Sequence, residues 1–278
     1  MTAVCCLALA AAVAMVVRWG GLEALPVPEP EGEERPTPAS NMRRTLRALA
    51  VSLYSGVIAG VLVGGFGGRL LMRFMAATSS DSVQGVLTEA EENVGEVTFG
   101  GTAFLIVFAG VFVGLIGGLL YKLVRRWLPA PAWRGGAVLG VMVLGLVGVA
   151  SGVLNSSNKD FTVLSPSWLA VTMVVAGAVL FGMCLASLHE RLELGMPEIS
   201  RRWTPVMAFV PLFVLGATPV TGVLILTLLL LGSVGAPTVR RLFSDDATLR
   251  AGRVLASAGG VVGAAIVAFN AYRILALN

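Results

Sequence analysis

Short charged loops divide this chain into long apolar runs: Ala3 to Val17, Leu46 to Leu71, Phe99 to Tyr121, Gly136 to Leu154, Trp168 to Leu188 and Val254 to Leu277. At a rise of about 1.5 Å per residue, about twenty apolar residues cross a hydrocarbon core ~30 Å thick. In lipid, every spanning backbone N–H and C=O must be bonded within its own segment, so unbroken apolar runs are helices. A transmembrane barrel would instead show short alternating segments. The expected fold is therefore all-α: a polytopic transmembrane helix bundle with six full spans.

Charge is scarce and segregated. Charged residues are 13% of the chain, hydrophobic residues 56%, and mean hydropathy is +0.85; soluble domains carry about 25% charge. All 16 acidic residues lie outside the apolar runs. A net charge of +4 next to membrane spans reflects orientation and does not imply a nucleic-acid partner. Lys122 and Lys159 are the only lysines, against many arginines and abundant Ala, Gly and Val, as in a GC-rich bacterial genome.

Three domains are expected. Residues 1–20 form an N-terminal anchor helix, 21–42 a disordered linker and 43–278 the transmembrane bundle. PVPEPEGEERPTPAS, Pro26 to Ser40, is rich in Pro and Glu and has no apolar periodicity, so it cannot bury enough surface to offset its ordering entropy. A fresh membrane-protein start follows at Met42, and the first forty residues are expected to be dispensable to the fold.

The segment Trp203 to Val239 is too long for one ordinary span and short for two, and it contains Pro205, Pro211, Pro219 and Pro237. Charge counting favours two short helices that enter and return, as a hairpin or a re-entrant pair, over one kinked span. That gives seven to eight membrane segments. Sixteen of the 20 basic residues fall in the stretch Arg18 to Arg47 and in the loops around Lys122–Arg134, Arg191–Arg202 and Arg240–Arg253. By the positive-inside rule these face the cytoplasm of a bacterial inner membrane. The intervening loops fit the opposite side, since Met75 to Thr98 holds Asp81, Glu89, Glu91, Glu92 and Glu96 with no basic residue. Only a segment that returns keeps the Arg240–Arg253 loop inside.

Gly56, Gly60, Gly64 and Gly68 stand four apart, as do Gly110, Gly114 and Gly118. Residues at that spacing share a helix face, and small faces let backbones approach where lipid offers no hydrophobic drive between helices. The two runs are expected to pack seam to seam, with Gly259 and Gly263 as a weaker third seam; nothing comparable links the fourth and fifth runs. AGVLVGGFGG, Ala59 to Gly68, echoes AGVFVGLIGG, Ala109 to Gly118. This is either an internal repeat, as transporters have, or shared composition.

One end of the bundle is expected to gather Arg69, Arg73, Asn155, Asn158, Asp160 and Arg273 as an extracytoplasmic polar site. Guanidinium groups bind carboxylate and phosphate bidentately, so an anionic ligand or a lipid headgroup is the expected occupant; the alternative is arginines that snorkel to the interface. His189, the only histidine, lies beside Glu190, Arg191 and Glu193 and is read as a solvated interfacial residue. Cys5, Cys6 and Cys184 have neither metal-ligand spacing nor a disulfide framework. Trp19, Trp127, Trp133, Trp168 and Trp203 fall near span ends as an aromatic belt. HExxH, GxxxxGK[ST] and GxSxG are absent, so no enzyme activity, catalytic residue, cofactor or metal is expected.

GGRLLMR, TEAEENVGEVTFGGT, GLIGGLLYKLVRRWLP and the later NKDF together resemble uncharacterised multi-pass inner-membrane proteins of high-GC bacteria. The resemblance covers the second to fifth runs. It implies a membrane location and no activity.

Two function classes remain open. A small transporter or channel component is suggested by the tight seams, the proline-broken segment and the outer arginines. A non-transporting scaffold or regulatory subunit, binding a membrane partner or a second copy, is suggested by the Pro/Glu linker and the lack of mid-membrane charge. A membrane enzyme acting on lipid needs a catalytic set that these residues do not supply. A reporter fused at Asp245 is expected to read out on the cytoplasmic side; an extracytoplasmic signal would sink the returning hairpin.

Overall fold

The computed structural model describes residues 2–25, 37–79, 99–148, 150–155, 158, 166–197, 222–223, 227, 229 and 246–276. These residues are helical apart from short turns and connections. The helices are α1 (Thr2–Trp19), α2 (Pro38–Ala59), α3 (Gly68–Thr78), α4 (Phe99–Leu105), α5 (Val113–Val124), α6 (Ala132–Val143), α7 (Ser167–Gly195) and α8 (Asp246–Ala276). π-helical stretches Gly60–Gly67 and Ile106–Phe112 join α2 to α3 and α4 to α5, and Leu144–Gly148 extends α6. Five of the resulting continuous helices are long and apolar enough to cross a membrane, and Ala132–Gly148 is a shorter apolar helix. The chain is a multi-pass membrane protein built as a helical bundle. The segment Trp203 to Val239 lies outside the described residues, apart from four isolated helical positions within it.

α2 begins inside the stretch read as linker. Pro38 occupies its first turn, where a missing N–H costs nothing, and Thr37 caps it by accepting from the Ser40 N–H at 3.2 Å. α1 is packed into the bundle. Its buried residues Cys5, Ala8, Ala12 and Val16 recur at helical spacing, and Ala12 and Val16 share a core with Ala59, Val63, Leu139 and Leu185.

The helices meet backbone to backbone. A Cβ on Gly56 would overlap the Gly114 carbonyl oxygen, one on Gly60 the Gly110 carbonyl oxygen, and one on Gly118 the Ser52 carbonyl oxygen. At Gly64 it would lie 2.6 Å from the Ala109 oxygen, whereas at Gly68 it would make ordinary contact with Leu105. The α2–α3 helix and the α4–α5 helix therefore run antiparallel in backbone contact from Ser52 to Gly64. In a pure α-helix a row of every fourth residue drifts about 40° per step, because four exceeds the 3.6 residues of a turn. The wider π-helical turns drift the row back. Both π-helical stretches of this pair lie on the seam, where Gly60–Gly67 packs on Ile106–Phe112.

A second seam was not evident in the sequence. Gly136 meets the backbone of Gly182 and Gly140 that of Ala178, which locks the fourth and fifth runs together. Gly145, in the π-helical extension of α6, meets Gly263 of α8. The α6 glycines that meet a neighbouring helix's backbone fall at 136, 140 and 145, serving two neighbours with two short patches that do not read as a zipper.

The helix ends sort into two groups. Gly20, Arg47, Arg125, Ala132, Glu193, Met196 and Gly252 lie at one end, here called the basic end, joined by contacts such as Ala132 N–H to the Leu22 oxygen (2.8 Å) and Gly252 against Trp127. Met75, Leu154, Ala170 and Ile274 form a buried cluster at the other end. α7 thus finishes, and α8 starts, at the basic end.

Gly60→Leu is expected to lower stability by about 3 kcal/mol, since the neighbouring backbone has nowhere to move. Gly177→Ala is expected to be neutral or stabilising by about 0.5–1 kcal/mol, because nothing lies within 4 Å of its Cβ position. Thermal denaturation in detergent checks both.

Candidate functional site

The basic end holds a buried network of charged and polar side chains. Its backbone frame is the last two turns of α7, the last turn of α5 and the last two turns of α2. His189 and Glu193 are one turn apart on α7 with Glu190 between them, and Tyr121 and Arg125 are one turn apart on α5, so each helix offers a short polar face to the other. Ser55, His189 and Glu190 are fully buried, and Arg125 and Tyr121 nearly so.

The contacts close on one another. The Tyr121 hydroxyl donates to Glu190 Oε1 at 3.0 Å, and Arg125 Nη1 lies 3.5 Å from the same oxygen. Arg125 Nη1 also donates to Glu193 Oε2, and Lys122 Nζ donates to Glu193 Oε1 at 3.3 Å. His189 Nδ1 is 3.3 Å from Ser55 Oγ, and its Nε2 is 3.6 Å from Glu193 Oε2. The Tyr121 ring stands edge-on to the imidazole, with centroids 5.0 Å apart. The Glu190 Oε2 atom is buried without a hydrogen-bond donor. Burial pulls the Arg125 guanidinium below its ordinary range while the Glu190 carboxylate opposes that shift; a guanidinium remains a cation even so.

Two arginines tie this network to the chain around it. Pro197 has no N–H, so the Glu193 carbonyl loses its partner four residues on. Arg47 replaces it: Nη2 donates to the Glu193 oxygen at 2.6 Å and to the Met196 oxygen at 3.0 Å, and Nε donates to the Met196 oxygen at 3.1 Å. A cation here also meets the negative end of the α7 dipole. Arg125 Nη2 donates to the Leu25 oxygen at 3.2 Å, fastening the segment after α1.

His189 is therefore not the solvated interfacial residue expected. α2 and α5 cover it, and neither was within reach of a reading along α7 alone. The available signal was the run HERLE at the C-terminal end of one apolar run and YKLVRR at the C-terminal end of another, one carrying the carboxylates and the other the cations. Ser55, His189 and Glu193 contact in that order, like a nucleophile, base and orienting acid. However, the Ser55 hydroxyl is buried and donates to the Ser52 oxygen at 3.0 Å, and the imidazole meets it through Nδ1, opposite to a serine hydrolase triad. Among the described residues no group of His, Cys, Asp and Glu has the geometry of a metal site.

The six residues expected at the outer polar site are placed as follows. Arg69 is buried within α3, and Arg73, one turn on, is exposed. Asn158 Nδ2 donates to the oxygen of Gly152, a residue with φ +80° in the turn after Leu144–Gly148; Asn155 is half-buried in the same connection. Arg273 is exposed, with its guanidinium 5.9 Å from the Phe269 ring centroid. Asp160 lies outside the described residues. The helix ends and turn that carry the five described residues share one end of the bundle.

Breaking a buried ion pair strands a charge, which costs about 3–5 kcal/mol. Arg125→Met is expected to destabilise the protein by that order, and adding Glu190→Gln is expected to recover part of the loss. A double-mutant cycle on thermal denaturation in detergent measures the coupling; strict additivity would show that Arg125 and Glu190 do not act together.

No protein family, curated protein or solved structure matches this chain.

Proposed function

We propose that this protein is a non-transporting scaffold or regulatory subunit of a bacterial inner membrane, which holds a membrane partner beside a closed bundle. The observation that carries the reading is the backbone contact along the seams Gly56–Gly114, Gly60–Gly110 and Gly136–Gly182, where not even a methyl group fits. Helices in contact at that distance leave no aqueous path between them. Two shallow concavities among the described residues face outward: one runs along α8 beside Val254, Ala258 and Val262, the other along α1 beside Leu9, Val13 and Val17. Arg69 apart, the buried charge among the described residues is gathered at the basic end, where Arg125 and Lys122 meet Glu190 and Glu193, as suits a fixed frame more than a moving one.

The orientation belongs to the same reading, with the basic end cytoplasmic by the positive-inside rule. A returning hairpin at Trp203 to Val239 is supported by the positions of its neighbours, since α7 ends and α8 starts on one side and an even number of crossings joins them. The resemblance to uncharacterised multi-pass proteins of high-GC bacteria agrees with this location and adds no activity.

The transporter reading is the alternative that an experiment must defeat. Purified full-length protein in proteoliposomes is expected to pass ions and small anions no faster than protein-free vesicles. In membranes, photo-crosslinking from Val261 on the exposed face of α8 is expected to give one discrete protein adduct. Saturable flux above the protein-free level would overturn the proposal.

A further inference from the structure

We propose that the basic end carries a binding site for the phosphate of an anionic phospholipid headgroup, built from Arg134 and Arg191 on two neighbouring indoles. This inference does not depend on the scaffold reading.

The site stands on a joint between three elements. The Trp133 N–H donates to the Gly20 oxygen at 3.1 Å and the Ala132 N–H to the Leu22 oxygen at 2.8 Å, which binds the start of α6 to the segment leaving α1. Gly20 lies against Trp133 and the Ser187 hydroxyl of α7, with contacts of 3.1 and 3.4 Å from its Cβ position. One turn after Ser187, Arg191 places its guanidinium 6.0 Å from the centroid of the Trp19 ring. Arg134 places its own 5.2 Å from the centroid of Trp133. Arg18 adjoins Trp19 and is exposed, as are Arg134 and Arg191. Two guanidinium groups, from α6 and α7, thus lie over indoles that flank one backbone joint.

Among the described residues their charge has no carboxylate partner. The carboxylates nearest Arg191 along α7, Glu190 and Glu193, point inward and are engaged by Tyr121, Arg125 and Lys122. Among the described residues no carboxylate pairs with Arg18, Arg134 or Arg191. Glu23 is the nearest acidic residue along the α1 side, and it is exposed. A guanidinium stacked on an indole keeps its N–H edge free to donate, and that planar fork matches two phosphate oxygens at once. Trp at this depth sits at headgroup level, and basic pockets between spanning helices bind anionic headgroups. Phosphodiester chemistry, tethered in the bilayer beside the joint, is what this arrangement recognises.

The test titrates the detergent-solubilised full-length protein with short-chain phosphatidylglycerol, phosphatidylcholine and inorganic phosphate, reading thermal stability. Phosphatidylglycerol is expected to raise Tm; phosphatidylcholine and inorganic phosphate are not. Arg134→Gln and Arg191→Gln are each expected to weaken the phosphatidylglycerol effect about fivefold, with Tm in phosphatidylcholine unchanged because both side chains are exposed. Arg250→Gln with Arg253→Gln, the same loss of exposed charge elsewhere at this end, is expected to leave the effect within about twofold of the parent, as one decade corresponds to about 1.4 kcal/mol. An equal loss in that control would overturn the site in favour of diffuse surface charge. An equal Tm rise with inorganic phosphate would overturn the lipid assignment in favour of a soluble phosphate. Retention of the full effect in the Arg134→Gln/Arg191→Gln double variant would overturn the proposal.

Discussion

Peptide backbone resting on peptide backbone is the constraint from which the rest of this bundle follows. Between Ser52 and Gly64 on one side and Ala109 and Gly118 on the other, carbonyl oxygens occupy the space that side chains fill elsewhere. Lipid tails are as apolar as leucine, so helices gain nothing by hiding apolar side chains from them; what remains is close-range dispersion, which falls steeply with any added atom. The π-helical turns on the seam keep the glycine rows facing each other for longer than an α-helix allows. The same contact recurs between α6 and α7, and again between the extension of α6 and α8.

A smooth glycine face has a weakness. Without side chains to interlock, two helices can slide along each other at little energetic cost. The ion network at the basic end removes that freedom, because its contacts are short, directional and shared among three helices. Arg125 reads the axial position of Glu190 and Glu193, and Arg47 reads the end of α7 through the Glu193 carbonyl that Pro197 leaves unbonded and the Met196 carbonyl beside it. Buried ion pairs are poor sources of net stability but good devices for specifying register. The seams supply proximity, and the network supplies alignment.

The same network shapes the surface. By drawing Glu190 and Glu193 inward, it leaves Arg191 exposed over Trp19, with no carboxylate paired to it among the described residues. Paired charge inside and exposed cations outside are two consequences of one arrangement. The joint between the α1 exit and the α6 start then brings Arg134 to the same place, although the two arginines are far apart in the chain.

Much of this protein is legible along its sequence. The helical class, the membrane setting and the glycine rows at Gly56–Gly68 and Gly110–Gly118 follow from run length and spacing, because lipid forces each span to satisfy its own backbone and makes small faces meet. The residues that matter at the basic end do not follow in the same way. Gly136, Gly140 and Gly145 form no continuous row because α6 divides them between two neighbours. His189 looked solvated because its own helix shows only charged companions, while its cover comes from Ser55 and Tyr121 on other helices. Periodicity reports what a helix does around its own axis. Which face meets which neighbour, and whether a charge ends in water or against its counter-ion, depends on distances between helices, and only the assembled bundle sets those.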